Sequence, residues 1–390
     1  MKMMATRVVG TAAVMLMLAG AGLWYTVEAA AAKPGDVLWK YRTGGAIWAP
    51  LTHADGVLYV GSDDHHLHAV DLATRRALWT FETGGPVRSK PLVVAGRVYL
   101  SSDDGLLYAL DASTGQEHWR FELEPDSVPR ELPAAGSTAY DYLQSAPIHA
   151  DGLVYVGSAS GRMHALDAAS GKELWRFATD GAIRGNPLVG GGALYFGSWD
   201  HGVYSLDAKT GERRWHYDTQ GIVQSTPALG DGKLVIGSRS AKLFALDAAT
   251  GTEAWTHVYS DGSWVESSAV YADGAFYIGS SDSLKLSAFD AGSGEETWAF
   301  DTGGWAWSTP VLSNGVAYIG GLSAFPYYFD GVTLEPGFFA VDAETGQEKW
   351  RFMPEPVKGY VTGGVMAAPE VHDGTVYVGA LDGHVYALQE

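Results

Sequence analysis

The 390-residue sequence contains no cysteine. Disulfides, iron–sulfur clusters, thiolate zinc sites and cysteine nucleophiles are therefore excluded, as is a lipid-modified N-terminal cysteine. Basic residues are also scarce, because 26 Lys and Arg stand against 45 Asp and Glu and give a formal net charge of −19. A surface this acidic repels phosphate backbones. We therefore expect no nucleic-acid partner.

Residues 1–32 have the composition of an export signal. Lys2 and Arg7 precede an uncharged apolar run at 8–27, and small residues suited to signal-peptidase cleavage follow. A retained signal anchor is the alternative, since about 20 apolar residues can span a bilayer. Both alternatives predict a periplasmic or secreted protein that is not a lipoprotein. We expect membrane contact only through residues 8–27, and only if this segment is not cleaved.

An internal repeat organises the rest of the chain. The segment 98–121, with a Trp near its end, recurs along residues 33–390, and most copies are about 40 residues apart. The 50 Gly and 16 Pro indicate that short elements and turns divide each copy. The repeated tryptophan occurs eight times, at Trp39, Trp79, Trp119, Trp175, Trp215, Trp255, Trp298 and Trp350.

Each copy is predicted to form four short strands, which is typical of a propeller blade. The last copy stops after its third strand, at Glu390, while the segment 37–41 is a fourth strand without a blade of its own. Pairing the two would remove two exposed sheet edges. The sequence therefore predicts one all-β domain at 33–390, an eight-bladed propeller of four-stranded antiparallel blades that the Trp39 strand closes. We expect this domain to be monomeric.

The repeated Asp-Ala-x-Thr-Gly-x-Glu-x-Trp motif has a structural explanation. Asp111 can accept hydrogen bonds from backbone N–H groups of its turn, and Gly115 permits a positive φ. The tryptophan then has a large ring available for packing between neighbouring blades. All eight repeated tryptophans are therefore interpreted as structural docking residues.

Residues 109–119 resemble the tryptophan-docking motif of pyrroloquinoline quinone (PQQ) dehydrogenase propellers. They equally resemble BamB, the propeller subunit of the outer-membrane β-barrel assembly machinery. The resemblance covers about residues 36–390 and implies the fold. It implies two different functions, because a fold alone does not determine activity.

Three insertions are predicted to lie on one face, here called the variable face, which carries the fourth-to-first and second-to-third connections. They span 122–143, 321–336 and 353–365. Insertions and aromatic residues on one face are typical of a binding surface. The alternative is that the rings only pack beneath the inserted loops. The predicted partner-binding residues of this face are Trp199, Trp264, Trp305, Phe325, Tyr327 and Tyr328.

The residues three positions before the first-strand proline, or its equivalent, are predicted to ring the mouth of the central channel. Their chemical variety is not required by the repeat and indicates a site for a ligand or partner. A hydrated mouth without a ligand is the alternative. These residues are Trp48, Arg88, Gln144, Arg184, Gln224, Glu266, Trp307 and Met366.

A PQQ enzyme would need Ca²⁺, a carboxylate base and rings to stack on the quinone. Arg88 or Arg184 could meet quinone carboxylates, Trp264 or Trp307 could stack, and Glu266 could act as base or ligand. The resemblance implies a difference as well, because the alcohol dehydrogenases of that family are longer chains with a vicinal cysteine pair. This sequence has no cysteine. We therefore favour a function without catalysis, for which no catalytic residue, metal or cofactor is predicted.

The favoured function is a non-catalytic envelope scaffold that binds a protein partner in outer-membrane protein assembly, as the resemblance to BamB implies. The alternative is a propeller that binds PQQ or another small ligand, with a PQQ-dependent dehydrogenase as the enzyme form. Residues 63–68 contain two Asp and three His, and we interpret them as a solvated loop and not as a metal site.

Overall fold

The computed structural model describes residues 31–123, 132–134, 140–326 and 331–390, and these form an eight-bladed β-propeller. Each blade is a four-stranded antiparallel sheet, and in seven of the eight blades sequential strands are neighbours. The described residues contain no α-helix, so none is long and apolar enough to cross a membrane. The prediction of an all-β propeller is confirmed. Most of the predicted export signal, residues 1–30, lies outside the described ranges.

Blades 1 to 4 follow one another along the chain. Their strands are β2 (Thr52–Ala54), β3 (Val57–Gly61), β4 (His66–Asp71) and β5 (Arg76–Glu82); β6 (Leu92–Val94), β7 (Arg97–Ser101), β8 (Leu106–Asp111) and β9 (Glu117–Glu122); β10 (Ile148–Ala150), β11 (Leu153–Gly157), β12 (Arg162–Asp167) and β13 (Glu173–Ala178); and β14 (Leu188–Gly190), β15 (Ala193–Gly197), β16 (Gly202–Asp207) and β17 (Arg213–Asp218).

Blades 5 to 8 complete the ring, and one additional strand, β30 (Val361–Gly364), pairs with blade 7. The strands of these blades are β18 (Ala228–Gly230), β19 (Lys233–Ser238), β20 (Lys242–Asp247) and β21 (Glu253–Val258); β22 (Val270–Ala272), β23 (Ala275–Gly279), β24 (Lys285–Asp290) and β25 (Glu296–Asp301); β26 (Val311–Ser313), β27 (Val316–Ala324), β28 (Gly337–Asp342) and β29 (Glu348–Phe352); and β31 (Glu370–His372), β32 (Thr375–Gly379), β33 (His384–Gln389) and β1 (Val37–Arg42).

Blade 8 is assembled from both ends of the domain. Strand β1 pairs antiparallel with β33, and Trp39 lies opposite Ala387. Beyond the strand, the Gly35 N–H donates to the Gln389 carbonyl, and the Gln389 N–H donates to the Asp36 carbonyl, both at 2.9 Å. The predicted closure of the ring by the Trp39 strand is therefore confirmed.

The core lies between the blades. The second and third strands of each blade are almost entirely buried, because a neighbouring blade covers each of their faces. These strands are therefore mostly apolar, whereas the fourth strands alternate between half-buried and exposed residues. The short first strands line the central channel.

The repeated motif joins adjacent blades. The Trp79 indole N–H donates to the Ala112 carbonyl of the next blade at 3.1 Å, and the ring lies against Gly115, where no side chain would fit. Asp111 accepts the Thr114 N–H at 2.9 Å, which closes the turn. Indole-to-carbonyl bonds of this kind recur at Trp119, Trp175, Trp215, Trp255 and Trp298.

A second repeated contact was not predicted from the sequence. Asp104, in a second-to-third loop, accepts the Gly84 N–H at 2.7 Å and the Tyr108 hydroxyl at 2.6 Å. In blade 1 the corresponding Asp64 accepts from a backbone N–H and lies 3.0 Å from His68 Nε2, so histidine replaces the tyrosine. The interpretation of 63–68 as a solvated loop is wrong for His68, which is 8% exposed.

Candidate functional site

Two of the predicted insertions pair with each other on the variable face. Strand β27 extends beyond its blade, and Leu322 of this extension lies opposite Gly364 of β30. On its other side, Leu322 exchanges two backbone hydrogen bonds of 3.0 Å with Trp305. The result is a small antiparallel sheet beside the channel mouth, and it covers the Trp305 ring.

All eight residues predicted for the channel mouth line one cavity. The structure therefore brings the predicted ring together, as the common position of these residues in the repeat requires. Seven of the eight are less than 10% exposed. The cavity has a volume of about 60 Å³, which is space for very few water molecules. Binding by this ring is not tested by its position and stays a prediction.

The mouth is filled by the chain's own residues Tyr140, Asp141 and Tyr142, which we call the plug. They belong to the insertion between blades 2 and 3 and were not predicted as site residues. The Tyr142 ring stacks on Trp307 with a centroid distance of 5.2 Å and an interplanar angle of 8°. Its hydroxyl donates to Glu266 Oε2 at 2.9 Å. Tyr142 is 1% exposed, so the plug closes the channel on this face.

Burial and the nearby carboxylate shift the protonation of this pair. Burial, followed by the charge of Glu266, raises the pKa of Tyr142 well above that of a free tyrosine. Burial also raises the pKa of Glu266, while Arg239 opposes that change. The Tyr142 hydroxyl therefore stays protonated at physiological pH and can donate to the carboxylate.

Arg239 is a further site residue that was not predicted from the sequence. Its Nε donates to Glu266 Oε1 at 2.7 Å, and a terminal nitrogen donates to the Tyr140 carbonyl at 3.3 Å. The guanidinium lies 4.7 Å from the centroid of the Trp264 ring and 5.7 Å from that of Trp199. Arg239 thus connects the plug, the ring of the mouth and two predicted aromatic residues.

The other charged residues of the mouth are paired as well. Arg88 binds Asp63 through two hydrogen bonds of 2.8 and 2.9 Å and Asp103 through one of 2.9 Å. Trp48 Nε1 also donates to Asp63, at 3.1 Å. Arg184, which is 3% exposed, donates to Asp141 of the plug. Each arginine of the predicted ring therefore has a carboxylate partner within the chain.

Most residues that contact the channel-mouth ring share one position in the second-to-third loops. This common position is the sequence signal from which they could have been predicted. Asp63, Asp103, Trp199, Arg239 and Ser281 occupy equivalent positions, each directly after a Gly-Ser or Ser-Ser pair at the end of the second strand. Ser281 accepts from Trp307 Nε1 at 2.9 Å. An alignment of the second-to-third loops would therefore have predicted a second ring around the first.

The predicted aromatic residues of the variable face have different environments. The expectation of exposed aromatic surface is wrong for Trp305, which is fully buried because Trp307 stacks on it at 4.5 Å and the small sheet covers it. Trp199 and Trp264 are half-buried beside Arg239. Phe325 is 73% exposed. Tyr327 and Tyr328 lie outside the described residues.

The residues that the resemblance offers for PQQ and Ca²⁺ do not fit these groups. Trp307 has one ring face against Trp305 and the other against Tyr142, so no face is available for a quinone. The Glu266 carboxylate is bound on both oxygens, by Arg239 and by Tyr142. A cavity of about 60 Å³ is also well below the roughly 300 Å³ of a small-molecule site. No catalytic step follows from this arrangement.

The channel continues beneath the mouth. A cavity of about 570 Å³ shares Lys90, Asn186 and Thr226 with the mouth cavity and extends along the first strands of blades 6 to 8. The backbone N–H of Ala146 donates to Asn186 Oδ1 at 2.7 Å, and that of Asn186 donates to Thr226 Oγ1 at 3.1 Å. Side chains thus connect the first strands of neighbouring blades below the plug.

Solved structures with the same fold fall into several functional classes. BamB from Moraxella catarrhalis matches with a TM-score of 0.67 and 18% identity over 91% of this chain and 97% of that one. A europium-containing methanol dehydrogenase matches with a TM-score of 0.69 and 16% identity, over 88% of this chain and 84% of that one. The computationally designed Ika8 protein matches with a TM-score of 0.68 and 18% identity, over 90% of this chain and 98% of that one. Identities this low show the fold alone.

Sequence comparison is more specific. Among curated protein sequences, none matches the chain. The family model described as outer membrane protein assembly factor BamB, a PQQ-like repeat, matches residues 25–146, 141–270, 218–350 and 283–390. These overlapping matches extend over all eight blades, so the chain belongs to the family described as outer membrane protein assembly factor BamB.

Proposed function

We propose that this protein is a non-catalytic scaffold of the cell envelope, which binds a protein partner through its variable face and acts in outer-membrane protein assembly. The observation that carries the proposal is the plug, because the ring that would hold a small ligand already binds Tyr140–Tyr142 of the same chain. Family membership supports the same function. The export signal predicted at residues 1–32 supports a periplasmic location.

Exposed apolar side chains remain on the insertions of the variable face and are available to a partner. Phe325, at the end of the β27 extension, is 73% exposed, and Met353, directly after β29, is 47% exposed. Val332 is 42% exposed. All three belong to insertions of the variable face, and exposed apolar surface is typical of interaction sites.

The experiment is an affinity capture from envelope extract with the tagged mature protein. The variant Phe325→Ser with Met353→Ser should recover about tenfold less of the β-barrel assembly components than the parent protein, since exposed anchors dominate interface energies. Leu174→Ser is the matched control, because Leu174 is 52% exposed on an outer strand. Equal recovery with all three proteins would remove the variable face from the proposal.

The small-ligand alternative has a direct test. PQQ and Ca²⁺ are added to the purified protein, and absorbance is followed during titration. We expect the spectrum of free PQQ, because Trp307 is covered on both ring faces. A new band that saturates at one PQQ per chain would favour the quinoprotein function instead.

A further inference from the structure

We propose that the channel mouth is a receptor for a short peptide segment with the order aromatic, acidic, aromatic, and that Tyr140, Asp141 and Tyr142 occupy it in cis. The proposal rests on the scaffold function above and deepens it, because it names the chemistry of a partner segment. A partner that presents this segment would compete with the plug.

The mouth has a separate subsite for each plug residue. Tyr142 lies flat on Trp307 and donates to Glu266, so the subsite is selective for a ring with a hydroxyl group. Asp141 pairs with Arg184, which is 3% exposed. A buried arginine favours a carboxylate at this position, because removal of one member of a buried ion pair is strongly destabilising.

Tyr140 occupies the third subsite. Its ring lies 5.6 Å from the Arg239 guanidinium and 5.7 Å from the Trp307 ring, and its carbonyl accepts from Arg239. The three subsites are formed by blades 4 to 7, although the plug enters between blades 2 and 3. The segment therefore crosses the channel, and its hydrogen-bond partners Arg184 and Glu266 lie 43 and 124 positions away in the sequence.

The receptor side is held in place by contacts that do not involve the plug. Trp307 Nε1 donates to Ser281 at 2.9 Å, and its ring stacks on Trp305. Arg239 is held by the Trp264 ring at 4.7 Å and by Gln224 Oε1 at 3.2 Å. A pocket organised before its ligand arrives loses less entropy on binding, which is the property expected of a receptor.

Competition sets the conditions under which a free peptide can bind. A tethered segment acts at an effective concentration on the order of millimolar, so the wild-type protein should bind a short free peptide very weakly. The plug must be emptied for a direct test. The variant Tyr140→Ser with Asp141→Ser and Tyr142→Ser does this and leaves every receptor residue unchanged.

The probe is the peptide acetyl-Tyr-Asp-Tyr-Leu-amide, which corresponds to residues 140–143. Calorimetry and tryptophan fluorescence should show saturable binding to the emptied variant, with Trp307 as a reporter, and no binding to the wild-type protein at the same concentration. The Asn analogue of the peptide and the reordered peptide Asp-Tyr-Tyr-Leu should bind at least about tenfold more weakly. Absence of binding to the folded variant, or equal binding of the Asn peptide, would overturn the proposal.

A second measurement decides the matter if the emptied variant does not fold. Asp141→Arg and Arg184→Asp should each lower the melting temperature of the full chain, and the double variant should recover at least half of the larger loss. A double variant that is no more stable than the worse single variant would overturn the proposal. Capture of a partner by Phe325 and Met353 is measured separately, so the scaffold function can fail or succeed independently.

Discussion

The two faces of the propeller differ in how much of their contact pattern is particular to one place in the ring. The face that carries the first-to-second hairpins and third-to-fourth turns repeats one set of contacts, in which Asp111 closes its turn and Trp79 docks on Gly115. On the variable face, the plug makes contacts that occur once in the molecule as described, such as Tyr142 with Glu266. The comparison indicates that the repeated contacts join the blades to one another, whereas the contacts that do not repeat distinguish the variable face.

The largest effect is expected from removal of the closing strand. Deletion of residues 36–42 removes β1, and with it a ladder along β33 and the Trp39 contact with the ring of Tyr377. The edge of β33 is then exposed. We expect loss of the cooperative melting transition in circular dichroism and aggregation in size-exclusion chromatography. Leu38→Ser is the control, and a deletion variant that melts like it would show that the repeat does not need closure.

The docking glycine offers a matched pair of substitutions. Gly211 and Gly232 have φ values of +74° and +72°, so alanine is strained at both by roughly 1–2 kcal/mol. At Gly211 the added methyl carbon would also lie 2.7 Å from the Trp175 ring, whereas at Gly232 it would meet nothing within 4 Å. Gly211→Ala should therefore lose a further 1–3 kcal/mol, roughly, in denaturant unfolding. Equal losses would argue against a stabilising role for the docking contact.

Two tyrosines compare the mouth with the seams between blades. The Tyr142 hydroxyl donates to a buried carboxylate and the Tyr155 hydroxyl to the Ala208 carbonyl, both at 2.9 Å. Tyr142→Phe should lower the free energy of unfolding by roughly 1.5–3 kcal/mol and Tyr155→Phe by roughly 0.5–1.5 kcal/mol, because a charged acceptor is left unsatisfied in the first case. A smaller loss for Tyr142→Phe than for Tyr155→Phe in denaturant titrations would show that Tyr142 only fills space and that its hydrogen bond to Glu266 does not stabilise the fold.

Acid should weaken the repeated turns gradually. Hydrogen bonds from the hydroxyl groups of Ser113 and Thr114 lower the pKa of Asp111 to about 2. A carboxylate whose pKa is lower in the folded state stabilises the fold above its unfolded pKa of about 4, and this stabilisation is lost as the pH falls toward 2. Equivalent aspartates with lowered pKa values are Asp71, Asp167, Asp207, Asp247, Asp290 and Asp342.

This pH dependence can be measured as the melting temperature between pH 5 and pH 2. The parent protein should lose stability over that range, and Asp111→Asn should show a slightly smaller loss, because one of the seven turns no longer titrates. A variant with the same pH dependence as the parent would show that the turn hydrogen bonds do not contribute.

The fold could be predicted in detail because the same sequence pattern recurs in every blade. Register within the repeat placed Trp307 and Arg184 at one mouth, although they are more than 100 residues apart, and the cavity confirms that they meet. The plug could not be predicted in this way, because Tyr140 and Tyr142 lie in an insertion that has no counterpart in other blades. Burial of Trp305 was missed for the same reason, since two insertions cover it.

Assembly of blade 8 from both ends of the domain constrains the order of folding. Among the strands of the described residues, β1 is synthesised first and its partner β33 last, about 340 residues later. Contacts between positions so distant in sequence form late, because the chain between them must first be ordered. Seven blades can therefore form before β1 has a partner, and we expect ring closure to be the final and slowest step. Until that step the molecule has two open sheet edges, and this is the stage at which it most needs protection from aggregation.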